Sequence, residues 1–598
     1  MAGVIGNAPI YLKGLCSLLF VFVLPGLACV SFFRIVEFPQ RWFVILLVSL
    51  IANHVLVTLI AAFHLDPLLS YRVAACTVIL ALLGAAMARR ARPYAAKNMA
   101  GATLCASDLG WFLASLVTVA ITYFNVWKHG VPNIFIGSDV LVSWNAWAEI
   151  WAQGNFPVSS YGYPQFIPTL WAVTYIFTGS PEQYFAFYIY IGLIVLPLLL
   201  NAMVLGRMCW WYPMVSGLAF IWFIAEIRTP WLRSTLEEGF PDWVAAIFAS
   251  SGVVLFVFSE PSGGRLDREK IANALLSLCL VSIAAVIKPQ HGLLVLAVLA
   301  GLSADAWKYL SPAERTRLLI GAVGILVVFA SVYAIYYAHL QRPGHPGFPV
   351  STVLTERLSQ AFALFNSTFT IPFRIVFVLG LVMCPFVKRV RWFALPLYAA
   401  VAVWANTLAY DLRNVLSFLM IGAFVPLYAA GRRWLEPKAL PHGRQWQVRD
   451  GLVAAVLALA TFGLTSPLAM SDQKLQRRFA DDQLRIDAGI EVNQKIGEVL
   501  GHGCKVFSPT GSFLFIAAFA PFRSQVHTYF YTLPLDDALT GEFNNSTGCT
   551  AVLYPLDRTH PSIRNFISGY ARSRGMNKVL ESNGMELLVT PQQGAGRS

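Results

Sequence analysis

The chain has 598 residues, of which 57% are apolar and 13% charged, with a mean hydropathy of +0.61 and a formal net charge of +13. So apolar a chain, so poor in charge, is excluded from the soluble and disordered classes and belongs in a bilayer. Its basic residues sit in short segments between apolar runs instead of on one contiguous surface, which argues against a nucleic-acid partner.

A membrane-crossing helix needs about 20 mostly apolar residues. Uncharged runs of this kind fall at 14–33, 43–63, 73–88, 109–127, 183–206, 210–225, 243–259, 271–287, 289–304, 319–338, 375–387, 393–410, 415–431 and 452–470. They predict an α-helical, polytopic membrane protein of about fourteen spans. Only Lys13 precedes the first run, which has the length of a retained span and not of a cleaved signal peptide. Lys/Arg-rich loops stay in the cytoplasm. With the N-terminus outside, the cytoplasmic loops gather Arg89/Arg90/Arg92, Arg265/Arg268/Lys270, Lys308/Arg315/Arg317, Lys388/Arg389/Arg391 and Arg432/Arg433. The loop around Asp139, the segments 226–242 and 339–374, Lys288, Asp411 and the C-terminal tail then lie on the exported face.

Within the first large exported segment, 128–182, Trp144, Trp147, Ile150 and Trp151 recur at helical spacing, with Asn145, Glu149 and Gln153 between them. This predicts an amphipathic interfacial helix. Phe166 to Thr178 reads as a second one, after the turn Tyr161-Gly-Tyr163-Pro-Gln165. Further along come the acidic Glu237 and Glu238, Gly239-Phe240-Pro241-Asp242 opening a span, Lys288-Pro-Gln290-His291-Gly292 between two spans, and Tyr410-Asp411-Leu-Arg413-Asn414 opening a late one.

From about 471 the composition changes. A polar helix 471–500, strands at 505–508, 525–529 and 551–554, a helix at 562–574 and a hairpin 578–581/585–589 turning at Asn583-Gly584 predict a small exported α/β domain, 471–598. Acceptor binding and structural capping are both open to it. Of the nine cysteines, Cys504 and Cys549 alone lie in this tail, a pair that an oxidising compartment permits to form one disulfide. The sequence divides into N-terminal spans (1–108), a membrane core (109–470) and this tail.

The elements quoted over residues 110–470 resemble the GT-C class of glycosyltransferases that use lipid-phosphate sugars, particularly bacterial members akin to the aminoarabinose transferase of lipid A and the protein O-mannosyltransferases. The three N-terminal spans ahead of the 109–127 run, which itself leads into the Asp139 loop, depart from the simplest family pattern, in which that loop follows the first helix. The resemblance implies an inverting transfer of a sugar from a polyprenyl-phosphate carrier to a cell-envelope acceptor (lipid, glycan or protein) at the exported face of a bacterial inner membrane. Such a transfer needs a carboxylate to take the acceptor's proton and cations to offset charge on the leaving phosphate.

Asp139 is the expected base; by its place ahead of an amphipathic run it is equally an N-cap. Lys288, Arg413 and His291 are expected at the donor phosphate, since Arg suits a bidentate contact and Lys a point charge. Snorkelling is the plain alternative for these cations, above all for Arg228 and Arg233. Trp144, Asn145, Tyr163, Gln165, Glu238, Asp242, Gln290 and Asp411 are expected to bind sugar or acceptor. Interfacial Trp and Tyr also serve as anchors, and Asp411 and Arg413 have the spacing to pair with each other, leaving Asn414 as a cap. No cofactor is expected; carboxylates beside a phosphate leave room for a divalent cation. Two other functions fit a many-spanning chain. A transporter or flippase of lipid-linked sugars would use the charges to line a pathway, but the span interiors are almost without ionisable residues and no internal repeat relates the halves. An O-antigen polymerase or ligase would place its Arg and His in one late exported loop, as His339, Arg342, His345 and Arg357 are placed.

Overall fold

The computed structural model describes residues 8–31, 38–90, 135, 140–157, 163–179, 183–209, 211–229, 232, 235–236, 239–260, 268–339, 354–408, 411–435, 491–492, 494–508, 526–528, 548–555, 561–582 and 585–591. The chain opens with helices α1 (Ala8–Phe22), α2 (Leu24–Val30), α3 (Phe38–Ala62) and α4 (Pro67–Arg90). A π-turn, Val140–Asn145, leads into α5 (Ala146–Ala152), followed by α6 (Phe166–Thr178), α7 (Gln183–Met208) and α8 (Trp211–Ala225). The second half of the bundle holds α9 (Pro241–Phe258), α10 (Arg268–Ile287), α11 (Gly292–Tyr309), α12 (Pro312–His339), α13 (Leu354–Thr368), α14 (Ile371–Met383), α15 (Ala394–Val403) and α16 (Leu416–Leu435).

Among the described residues, nine helices are long and apolar enough to cross a membrane, and they coincide with nine of the expected runs. The runs at 210–225 and 375–387 appear as the shorter helices α8 and α14, of 15 and 13 residues. The run at 393–410 breaks into α15 and a π-turn, Trp404–Leu408. Those at 109–127 and 452–470 lie outside the described residues.

The bundle is organised around α9, in which every residue but Ser250 is buried. It packs on α7, α10 and α16. A helix apolar on every face has no other stable place than inside a bundle, and α12, exposing Leu319, Ile320, Val323 and Val327, has the opposite character of a lipid-facing span. Small residues let backbones meet. A Cβ on Gly380 of α14 would stand 1.9 Å from the carbonyl oxygen of Gly422 in α16, so the two helices cross at backbone contact.

α6 was expected as an amphipathic helix with one apolar face, yet all its residues except Phe177 are buried, against α1, α3, α5 and α7. Its threonines pass for a polar face in the sequence, but they are satisfied inside. Thr174 and Thr178 donate to carbonyls of their own helix, and Thr169 donates to Phe166 O while standing 2.7 Å from His54 Nδ1 of α3. Because that hydroxyl proton is already committed, His54 Nδ1 must be the donor to Thr169.

Charged residues gather at the two ends of α9, roughly 27 Å apart at 1.5 Å per residue. At its C-terminal end Arg389 donates to Ser259 O (2.5 Å) and pairs with Asp305 (2.6 Å), while Glu260 pairs with Lys388 and with Arg432 (3.0 Å). These are residues of loops expected on the cytoplasmic face. The residues expected on the exported face meet at the other end.

The tail carries a five-stranded sheet in the order β2 (Val526–Thr528), β1 (Lys505–Ser508), β3 (Thr550–Pro555), β5 (Met585–Val589), β4 (Asn577–Ser582). β1 runs parallel to β2 and β3, and β5 antiparallel to β3 and β4. Alternation along the strands gives two buried faces. Val506, Ala551, Leu553 and Leu587 pack with Val492, Ile496 and Val499, while Phe507, Val552, Tyr554 and Leu588 pack with Ile567 and Tyr570 of helix α17 (Pro561–Ser573). A disulfide joins Cys504 and Cys549, at the starts of the parallel neighbours β1 and β3.

Candidate active site

At the N-terminal end of α9 the sequence Gly239-Phe240-Pro241-Asp242 makes a sharp entry. Gly239 has φ +94°, a conformation that costs other residues a steric penalty, and a Cβ there would lie 2.6 Å from the Phe135 ring and 3.5 Å from Val140. Phe135 and Val140 are both fully buried, and the Phe135 amide donates to Gln183 Oε1 (3.0 Å). Pro241 occupies the first turn of the helix, where its missing N–H is not needed, and Asp242 sits beside it near the positive end of the helix dipole.

Asp242 is 4% exposed and its carboxylate lies 2.9 Å from Lys288 Nζ. Lys288 stands in the junction between α10 and the 3-10 turn Pro289–His291, with its side chain 13% exposed. Burial by itself would depress the lysine's pKa. The Asp242 carboxylate outweighs burial and the repulsion of Arg413, and the ammonium is held above its ordinary value.

The third element is the turn that opens α16. Asp411 caps it, accepting from the Arg413 amide (2.9 Å), and its other oxygen takes both Nε (2.8 Å) and a terminal nitrogen (2.7 Å) of the Arg413 guanidinium. The central carbon of that guanidinium lies 4.5 Å from the Phe240 ring centroid, and Arg413 is close enough to act electrostatically on both Asp242 and Lys288. Asp411 takes the capping role that was read for Asn414. Trp404 Nε1 donates to Asp411 O (3.0 Å) and Gln290 Nε2 to Asn414 O (3.0 Å), tying the two turns together.

His291, expected at the donor phosphate, is occupied otherwise. Its Nδ1 faces Lys288 O (2.9 Å), which only accepts, so Nδ1 carries the proton and Nε2 accepts from Ser417 Oγ at 2.5 Å. With both nitrogens engaged and its ring stacked on Phe418, His291 shapes the turn that presents Lys288.

The expected sugar- and acceptor-binding residues of the first exported segment form the neighbouring wall. Trp144, Trp147 and Tyr163 make a three-ring cluster with centroids 5.2 to 5.9 Å apart, and Tyr163 O accepts from Gln165 (2.7 Å) and from Tyr336 (3.1 Å). Gln165 also accepts from Trp151 Nε1 (3.0 Å), and Asn145 is fully buried between Tyr175 and Glu149. Trp144 and Trp147 are buried in the protein. Asn145 and Gln165 are thus committed to holding the wall, while Tyr163 is the member close to Lys288. Asp139, Glu237, Glu238 and Arg233 lie outside the described residues. Arg228 is exposed, and its backbone pairs with Thr368 (2.7 Å) where the 226–228 and 368–370 segments meet.

Phe240 and Ser417 were not anticipated from sequence. Phe240 was readable as the aromatic between the glycine turn and the helix-starting proline; Ser417, a small polar residue in an apolar run, gave no signal of its own. Among the described residues no group of three or more His, Cys, Asp or Glu is arranged to hold a metal ion.

No protein-family model matches the chain, and no curated protein matches it in sequence. Its fold is similar to that of ArnT from Cupriavidus metallidurans, whose crystal structure holds undecaprenyl phosphate. The TM-score is 0.50 and the identity 12%, over 81% of this chain and 99% of that one. The chain therefore has the ArnT-like membrane fold expected from its sequence.

Proposed function

We propose that the protein is an integral membrane glycosyltransferase that moves a sugar from a polyprenyl-phosphate carrier to a cell-envelope acceptor on the exported face, with inversion at the anomeric carbon. The observation that carries the reading is the convergence at one end of the bundle of Asp242, Lys288, Asp411 and Arg413. They come from three separate chain segments, next to the residues on either side of the Asp139 loop, and do so within an ArnT-like fold.

Asp139 immediately precedes Val140, which packs by Gly239, and is the carboxylate assigned to take the acceptor proton. Lys288 and Arg413 are the cations assigned to the carrier phosphate, one as a point charge and one as a planar fork. Each is matched by a carboxylate, so an incoming phosphate must share or displace those partners. The Trp144, Trp147 and Tyr163 rings are assigned to the side of the pocket that receives the sugar, and Gln290, Asp242, Asp411 and Glu238 to its polar rim. The 471–598 segment is assigned to the exported side of an inner membrane, where the Cys504–Cys549 disulfide is chemically at home. Should a divalent cation take part, Asp139 with Glu237 and Glu238 is where it would bind, because Asp242 is already paired with Lys288.

The test is turnover of a panel of radiolabelled polyprenyl-phosphate sugars by the purified protein in detergent, alongside Asp139→Asn and with and without EDTA. We expect turnover by the wild type, lost by at least a hundredfold in Asp139→Asn, a magnitude ordinary for a general base. Retained turnover in that variant removes Asp139 from the chemistry. Movement of lipid-linked sugar between leaflets without turnover removes the transferase reading.

A further inference from the structure

We infer that Asp242 is a positioning residue, whose carboxylate keeps the buried Lys288 charged and fixed as the point cation of the site. The assignment of Lys288 to a phosphate rests on the function proposed above; the pairing itself does not.

Lys288 has little choice of surroundings. The groups facing it among the described residues are Asp242 from α9, Arg413 from the turn before α16, Tyr163 from the segment before α6 and His291 of its own turn, with Asp411 behind Arg413 and bound to it. Asp411 is committed to its own arginine through two side-chain contacts and a backbone cap. Asp242 is the carboxylate at contact distance. An amine buried to this degree, with a guanidinium nearby, is pushed toward its neutral form by both burial and like charge. A neutral amine is a poor ligand for phosphate, so the carboxylate is what makes a lysine usable at this depth. Asp242 is itself fixed by the fold, one residue past the helix-starting Pro241 and in a helix buried on all sides.

With Asp242 replaced by Asn, burial and Arg413 remain and the largest opposing influence goes. The Lys288 pKa then falls, and the ammonium, present at low pH, is lost as pH rises through the lowered value. In the wild type the raised pKa keeps the charge through the whole neutral and mildly alkaline range.

The experiment is a trace-labelling titration of Lys288 by reductive methylation, read by peptide mass spectrometry, on the full chain in detergent between pH 7 and 11. The expected result is a labelling midpoint lower by one to several pH units, roughly, in Asp242→Asn, with Asp242→Glu behaving like the wild type. Asp242→Ser serves as the neutral variant if Asp242→Asn does not purify as a monodisperse protein. Unchanged Lys288 titration in the neutral variant overturns the inference.

The companion measurement is binding of undecaprenyl phosphate between pH 7.5 and 9.5, above the second ionisation of a phosphate monoester near pH 6. The wild-type Kd should stay flat, that of Asp242→Asn should weaken about tenfold or more across the window, and Asp242→Asn combined with Lys288→Arg should be flat again, because a guanidinium does not titrate there. A residue with only a structural role would weaken binding equally at every pH. A shifted amine with pH-independent binding overturns the link to phosphate, and a wild type that does not bind the lipid overturns the proposed carrier while the amine titration still decides the role of Asp242.

Discussion

At the scale of single residues, the site is an alternation of charges: Lys288 with Asp242, Arg413 with Asp411, and Arg413 again near Asp242. Buried charges persist only when paired and hydrogen-bonded, so each of the four is conditional on the others. Arg413 illustrates what its chemistry adds beyond charge. Its fork takes one carboxylate oxygen with two nitrogens while its central carbon sits 4.5 Å from the Phe240 ring centroid, and an ammonium does not reproduce that fork. Arg413→Lys is therefore expected to weaken undecaprenyl phosphate binding about tenfold, the equivalent of roughly 1.4 kcal/mol, despite unchanged formal charge; titration of the purified variant with the lipid checks this, and unchanged affinity would show the fork to be dispensable. The sequence disclosed these residues because each interrupts or borders an apolar run, where an ionisable group is costly. It did not disclose their partners. That Asp411 binds Arg413 follows from spacing, but that Asp242 binds Lys288 joins residues 46 apart in the chain, and nothing local specifies it. The contacts of His291 are hidden for the same reason, since its second partner, Ser417, comes from another helix.

At the scale of elements, hydropathy located the long spans because crossing a bilayer demands length and apolarity at once. It misjudged elements whose surroundings are protein instead of lipid. α6 looks amphipathic only until its threonines are seen donating within the helix and its faces packed against α1, α3 and α7. The strands of the tail were legible from alternation and from the Asn583-Gly584 turn signal, whereas the order that places β1 between β2 and β3 was not, since it depends on long-range pairing. Helix contacts also rest on small residues that carry little hydropathy signal. The crossing of α14 and α16 is the sharpest case: Gly380→Ala would set a methyl 1.9 Å from Gly422 O, a backbone atom that cannot swing aside. Separating the helices should cost about 1–3 kcal/mol, as overpacking does, and lower the thermal midpoint in detergent by several degrees. Gly217→Ala, where among the described residues no atom outside its own helix backbone lies within 4 Å of the added methyl, should not lower the midpoint and gains the higher helix propensity of alanine. Equal midpoints for the two variants would show that the crossing yields without cost.

At the scale of the whole molecule, two charged clusters mark the two ends of α9, and they separate the chain's loops as the distribution of Lys and Arg separates them. Arg389, Lys388 and Arg432 meet Asp305 and Glu260 at one end, while Lys288 and Arg413 meet Asp242 and Asp411 at the other. If the second end faces the exported compartment, the tail that follows α16 must be exported too, once the run at 452–470 has crossed. The disulfide makes that arrangement measurable. Cys504 and Cys549 are 45 residues apart, and closing a loop of that length removes enough unfolded-state entropy for about 4 kcal/mol of stabilisation, provided the compartment oxidises the pair. In intact cells with a permeabilised outer membrane, a membrane-impermeant maleimide should fail to label either cysteine until a reductant is added, and should label both afterwards. Replacing both with serine should leave the membrane bundle intact, because neither residue packs in it, and should make the tail sensitive to mild proteolysis. Labelling that requires lysis of the inner membrane would put the tail in the cytoplasm, and with it Lys288, Arg413 and the proposed site would face the wrong side for a carrier-linked sugar used in the envelope.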